Sequence, residues 1–148
     1  FLLTVRDKFS DVIKALKNIK ELKQQMTDLT ARAGKGMPKE IKQKIDTITK
    51  QMTAVEEALH QTKAKSSQDV LNYPIRLDDK LASTYNAAAA GNTAPSKQVK
   101  QAYAELEMLI NAELAKLKRV MDEDVIQLNK MTYEKEVPVI GIKKEDKE

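Results

Sequence analysis

The chain has no cysteine, four glycines, four prolines and one histidine in 148 residues. Without cysteine there are no disulfides and no thiolate-ligated metals, although a helical fold with a real core needs neither staple, so the compartment stays open. So few glycines and prolines supply too few turns for a strand-rich fold. No apolar run approaches the 18 residues of a membrane-spanning helix. A lone histidine, His60, cannot build a three-ligand metal site without help from carboxylates, and it reads as a surface residue beside Leu59. Arginine is scarce too, scattered as Arg6, Arg32, Arg76 and Arg119. Base reading relies on arginine forks, and nucleic-acid binders gather their basic residues on one face. Here the net charge is only +4 and acidic residues interrupt nearly every lysine cluster, so no nucleic-acid partner is expected.

What is abundant is charge, at 32%, against a modest 41% of hydrophobic residues. That balance suits long helices with one buried stripe and a wet remainder. A first helix over 4–33 carries Val5, Phe9, Val12, Leu16, Ile19, Leu22, Met26, Leu29 and Ala33, mostly in steps of four and three. Gly34 and Gly36 end it, and Pro38 suits the first turn of the next helix. The second helix, 38–65, has the cleaner series Ile41, Ile45, Ile48, Met52, Val55, Leu59 and Thr62, a heptad pattern. Two rods of similar length joined by a short loop predict an antiparallel hairpin.

Ser66 to Asp69 and Asn72-Tyr73-Pro74 break the pattern. A third helix over 74–90 carries Leu77, Leu81, Tyr85 and Ala88, and its alanine-rich end allows a neighbour to approach closely. After the joint at Gly91 to Ser96, with Thr93 or Ser96 as N-cap, a fourth helix spans 95–131. Its stripe is Val99, Tyr103, Leu106, Ile110, Leu114, Leu117, Met121, Val125 and Leu128, widened by Leu109 and Val120. The expected fold is therefore all-α, an up-and-down antiparallel four-helix bundle over 1–131 with a short extended C-terminal tail at 132–148. Val137 to Ile142 is strand-like but holds Pro138, and the last six residues are charged and expected to be loose.

The chemical inventory is thin. Ala33-Gly34-Lys35-Gly36 lacks the length and the following Lys-Ser/Thr of a phosphate loop. Neither a nucleophile elbow nor a His-Glu-x-x-His helix occurs. The acid pairs Glu56-Glu57 and Asp78-Asp79 and the run Asp122-Glu123-Asp124 fit ordinary helix-surface charge better than a catalytic cleft. Asp124 lies near the apolar face and needs a cation such as Arg76 or Lys80, because an unpaired buried charge is costly. No catalytic residue, metal or cofactor is assigned.

Leu71-Asn72-Tyr73-Pro74-Ile75-Arg76-Leu77-Asp78-Asp79-Lys80-Leu81-Ala82, followed by Gly91-Asn92-Thr93-Ala94-Pro95-Ser96, carries a resemblance. It resembles the C-terminal helical region of large bacterial exported proteins with sialidase-like BNR repeats, also described as sortilin-like or glycosyl-hydrolase-like propellers. In that family a Tyr-Pro-Ile-Arg-Leu-Asn-Asp-Lys-Leu stretch precedes a Gly-Asp-x-x-Pro-Thr turn. Asp78, Asn92 and Ser96 here stand in place of its Asn, Asp and Thr. The likeness covers 71–128, and the first hairpin shares only the general pattern. It implies an exported, periplasmic or extracellular location and a parent polypeptide with an upstream β-rich part, which agrees with a start at Phe1 rather than Met. It transfers no catalytic set. Asn72, Tyr73, Arg76, Asp78, Asp79, Lys80 and Asp124 are then candidates for an interhelix clamp or a docking surface. The expected role is a non-catalytic bundle that stabilises or positions the parent or contacts another protein. The alternatives are an accessory wall of a carbohydrate or peptide cleft, and a self-associating coiled coil.

Overall fold

The computed structural model describes residues 1–60, 76–91 and 94–144. All regular structure among them is helical. Helix α1 spans Leu2–Ala33, α2 Lys39–Leu59, α3 Leu77–Ala89, α4 Lys97–Arg119 and α5 Ile126–Glu134. A π-helical segment, Val120–Val125, joins α4 to α5 without a break.

In α1 the stripe resolves into two tiers. Val5, Val12, Ile19, Met26 and Ala33, seven residues apart, are buried, while Phe9, Leu16, Leu22 and Leu29 flank them half-buried. A seven-residue spacing returns to nearly the same face after two turns, which makes α1 the spine of a seam. Every apolar member of the α2 series from Ile41 to Leu59 is buried. Leu81, Tyr103, Leu106, Ile110, Leu117, Val120 and Leu128 complete one continuous core.

The helix ends follow local chemistry. Gly34 closes α1 with φ +58°, a conformation that glycine adopts at no steric cost. The Ser96 hydroxyl accepts a hydrogen bond from the Val99 amide at 3.1 Å, so Ser96 is the cap of α4; Thr93 lies outside the described residues. At the end of α5, Glu136 takes φ +56°. The Val137 amide reaches back to the Thr132 carbonyl at 2.9 Å, and the Glu136 amide to the Tyr133 carbonyl at 3.1 Å. That is a Schellman closure with glutamate where glycine is favoured.

Pairwise contacts give the directions. α1 and α2 run antiparallel across their short joint, with Lys23 near Glu56 at 3.5 Å. α2 runs antiparallel to α4 and α5, since Glu40 meets Lys135, Lys44 meets Asp124 and Val55 shares a groove with Glu113. α3 is antiparallel to α1: Phe9 shares a groove with Leu81, and Phe1 with Ala89. α1 and α4 run parallel, as the Thr4 carbonyl lies 3.5 Å from the Tyr103 hydroxyl and Lys8 bonds Asn111 at 2.7 Å. Among the described residues, α2 and α3 meet where one ends and the other begins, at His60 and Asp78.

These relations correct the expected arrangement. The described residues form four helical rods, α4 and α5 being one continuous rod, but an up-and-down bundle of four side-by-side rods would set α1 and α4 antiparallel. Instead α2 and α3, with 21 and 13 residues, lie end to end and together match the 32 residues of α1. The body has three columns: α1 up, α2 then α3 down, α4 and α5 up. The cause is local. His60 is extended, at φ −140° and ψ 135°, so α2 stops with its last buried leucine instead of reaching residue 65. Positions 61–65 and the expected start of the third helix at Pro74 lie outside the described residues. The tail starts later than expected, since helix persists to Glu134; beyond it Val137 is buried and the non-helical residues up to Lys144 lie against the end of α1.

Ile48→Ala and Leu117→Ala each empty a buried site and should cost about 2–5 kcal/mol, against within about 0.5 kcal/mol for exposed Lys50→Ala. Equal losses for all three in urea denaturation would contradict this core. Glu136→Gly relieves a left-handed glutamate and should raise stability by about 1 kcal/mol. A lowered denaturation midpoint would show that the Glu136 side chain contributes more than its backbone costs.

Candidate functional site

The candidate clamp residues fall into two separate places. The first is the junction of α2 with α3. Arg76 is the residue before α3, in an extended conformation, and its Nε is buried without a hydrogen-bond partner. Asp78 does two jobs: its Oδ1 accepts the Asp79 amide at 2.8 Å, and its Oδ2 lies 2.6 Å from the His60 Nδ1. The first bond satisfies one of the amides that a helix start leaves free, and two carboxylates in the first turn complement the helix dipole. The second bond ties the end of α2 to the start of α3, so His60, exposed as expected, is also a junction residue. Asp79 and Lys80 are exposed. Asn72 and Tyr73 lie outside the described residues.

The second place is the π-helical segment. Asp124 is neither with Arg76 nor with Lys80. It accepts a hydrogen bond from the Lys44 ammonium at 3.0 Å, with both side chains about one-fifth exposed. Lys44 and His60 are sixteen residues apart, with α2 between them, which puts roughly 24 Å between the two places. The clamp expected from sequence is thus two clamps, one at each end of α2. Both use partners that sequence reasoning passed over, Lys44 and His60. Lys44 carried a weak signal, being the lysine just before Ile45 on the edge of the α2 stripe.

Chemically, these arrangements hold helices together. The Asp78 carboxylate is occupied by an imidazole and a backbone amide, and Asp124 by an ammonium. At the opposite end of the body, Tyr103 packs edge-on against Phe1 with ring centres 5.5 Å apart. Burial, then the neighbouring Glu107 carboxylate, pushes its phenol well above the ordinary range. Tyr103 therefore serves as a neutral core residue with its hydroxyl toward Thr4. Among the described residues, no three His, Asp or Glu side chains converge as metal ligands, and no helix is long and apolar enough to cross a membrane.

No protein-family model matches the chain, and neither a curated protein nor a solved structure matches it.

If Asp124 and Lys44 form the tie between α2 and the π-helical segment, Asp124→Ala should cost about 1–2 kcal/mol, more than a fully exposed pair would. Lys80→Ala should stay within about 0.5 kcal/mol. Thermal unfolding of both variants is the check, and a neutral Asp124→Ala would remove the tie from the account.

Proposed function

We propose that this chain is a non-catalytic helical spacer whose body sets a fixed distance between its two poles. One observation carries the reading. With three columns rather than four, the described chain begins at one end of the body and finishes at the other. Phe1 lies beside Ala89 at one end, and Lys144 bonds Ala31 at the far end of α1. An even number of columns would bring both ends to the same side. At 1.5 Å per residue, α1 alone sets a separation of roughly 45–50 Å. The polar residues that sequence singled out as a docking or clamp set support the same reading, because Asp78 and Asp124 are engaged in ties that stiffen the rod along its length.

On the resemblance of 71–128 to the helical region of BNR-repeat proteins, the body positioned is a sialidase-like propeller of an exported parent polypeptide. Substrate binding then belongs to that parent. The accessory-cleft reading receives less support, since Asp78 is already occupied by His60 and the Asp79 amide.

The absence of native cysteine allows clean labelling. Leu3 and Tyr133 are exposed near opposite ends. Dyes at Leu3→Cys and Tyr133→Cys should report one narrow distance of roughly 40–45 Å, independent of protein concentration. A broad distribution would mean a jointed body unable to position anything. A distance that changes with concentration would favour self-association.

A further inference from the structure

Beyond the spacer reading, and on separate observations, we infer that residues 137–144 form a strap latched to the C-terminal end of α1 through Asp28 and Lys143, which opens while the helical body stays folded. Four contacts converge on α1 and the glycine that closes it. The Lys143 ammonium pairs with the Asp28 carboxylate at 2.6 Å. The Lys144 amide donates to the Ala31 carbonyl at 2.8 Å, satisfying one of the carbonyls a helix end leaves free. Arg32 Nε donates to the Pro138 carbonyl at 3.5 Å. The Lys144 side chain crosses directly over Gly34, where a Cβ would come within 2.7 Å of its Cδ.

What the strap does not do is bury its own apolar residues. Val137 is in the core, but Val139, Ile140 and Ile142 are 77%, 92% and 92% exposed. Past Val137, the strap is held by polar contacts, each of them weak at a surface. A segment with few buried contacts opens locally while the body stays folded. Val139 stands at the edge of a groove of about 220 Å³ with a mixed lining, Leu22, Met26 and Leu128 beside Arg32, Asn129 and Thr132. Opening therefore gives up the polar contacts to the end of α1 and the edge contact of Val139, and no buried apolar area beyond Val137 opposes it.

The latch is acid-labile. The charged groups around Asp28 are Lys143 on the strap and Arg32 on α1, with Gln24 donating to the same carboxylate at 3.1 Å. The hydrogen bond from Lys143, then that from Gln24, holds the Asp28 carboxyl below its usual range. A lowered folded value means that the latch contributes fully above the ordinary carboxylate range. It is lost as pH falls through the lowered value.

The test uses the full chain and reads the Lys144 amide by hydrogen exchange, with the Ile48 amide as the core reference. At neutral pH, Asp28→Asn and Lys143→Gln should each speed Lys144 exchange about two- to five-fold, the range open to a surface ion pair, with Ile48 unchanged. The charge swap Asp28→Lys with Lys143→Asp should restore protection. A spin label at Ile142→Cys should broaden the amides of α1 near Arg32, and should lose that contact on acidification in wild type but not in Asp28→Asn. Unchanged exchange in both single variants overturns the latch. So does an equal change at Ile48, which would make the effect global, and so does an identical acid response with and without Asp28.

Discussion

The constraint on which everything else depends is the length of the apolar seam on α1. Five residues at seven-residue intervals, Val5 to Ala33, are buried along 32 continuous helical residues. A seam this long cannot stay in water, and an isolated helix with it exposed would not be stable. It needs apolar cover along its whole length. α2 supplies cover only from Ile41 to Leu59. The remaining seam, toward Val5, is covered by Leu81 and the alanine end of α3. The three-column body is the consequence: one helix of full length forces two shorter ones to share a column, and α4 with α5 returns beside both.

The stripes were readable because helical burial leaves a local period. Every predicted core position of α2 up to Leu59 is buried, and Ser96 was one of two caps that short-range chemistry allowed. The arrangement was not readable for a reason equally physical. Whether α1 and α4 run parallel depends on whether the chain between them reverses two or three times at full length. Stopping α2 at Leu59 rather than at 65 decides it. Thr62 fits the spacing of the stripe but adds no apolar residue, so the sequence period alone does not mark the end of α2. The tail shows the same limit from the other side. A strand-like composition around Pro138 said nothing of α5 reaching Glu134, because that end is fixed by backbone hydrogen bonds and by a glutamate in a glycine conformation.

Charge pairs are the least readable layer. Lys44 with Asp124 and Lys143 with Asp28 are separated by 80 and 115 positions, and nothing in a local window links them. Arg76 and Lys80, the partners expected for Asp124, are themselves 48 and 44 positions away from it. The column arrangement instead sets α3 at the far end of α2 from the π-helical segment. His60 illustrates the converse. It has no distinguishing sequence context, yet the extended backbone that ends α2 turns it toward the first carboxylate of α3.

The two kinds of polar contact in this molecule do different work because of what surrounds them. The ties at Asp78 and Asp124 sit where helices already pack, so each adds a fixed angle to a contact that burial has formed. The contacts at Asp28, Ala31 and Arg32 hold a segment whose isoleucines remain in water, so polar bonds alone oppose its conformational entropy. Identical chemistry is therefore rigid in one place and releasable in the other. A body built this way keeps its length fixed through its core. The strap at its end remains the part that can respond to solution conditions without changing that length.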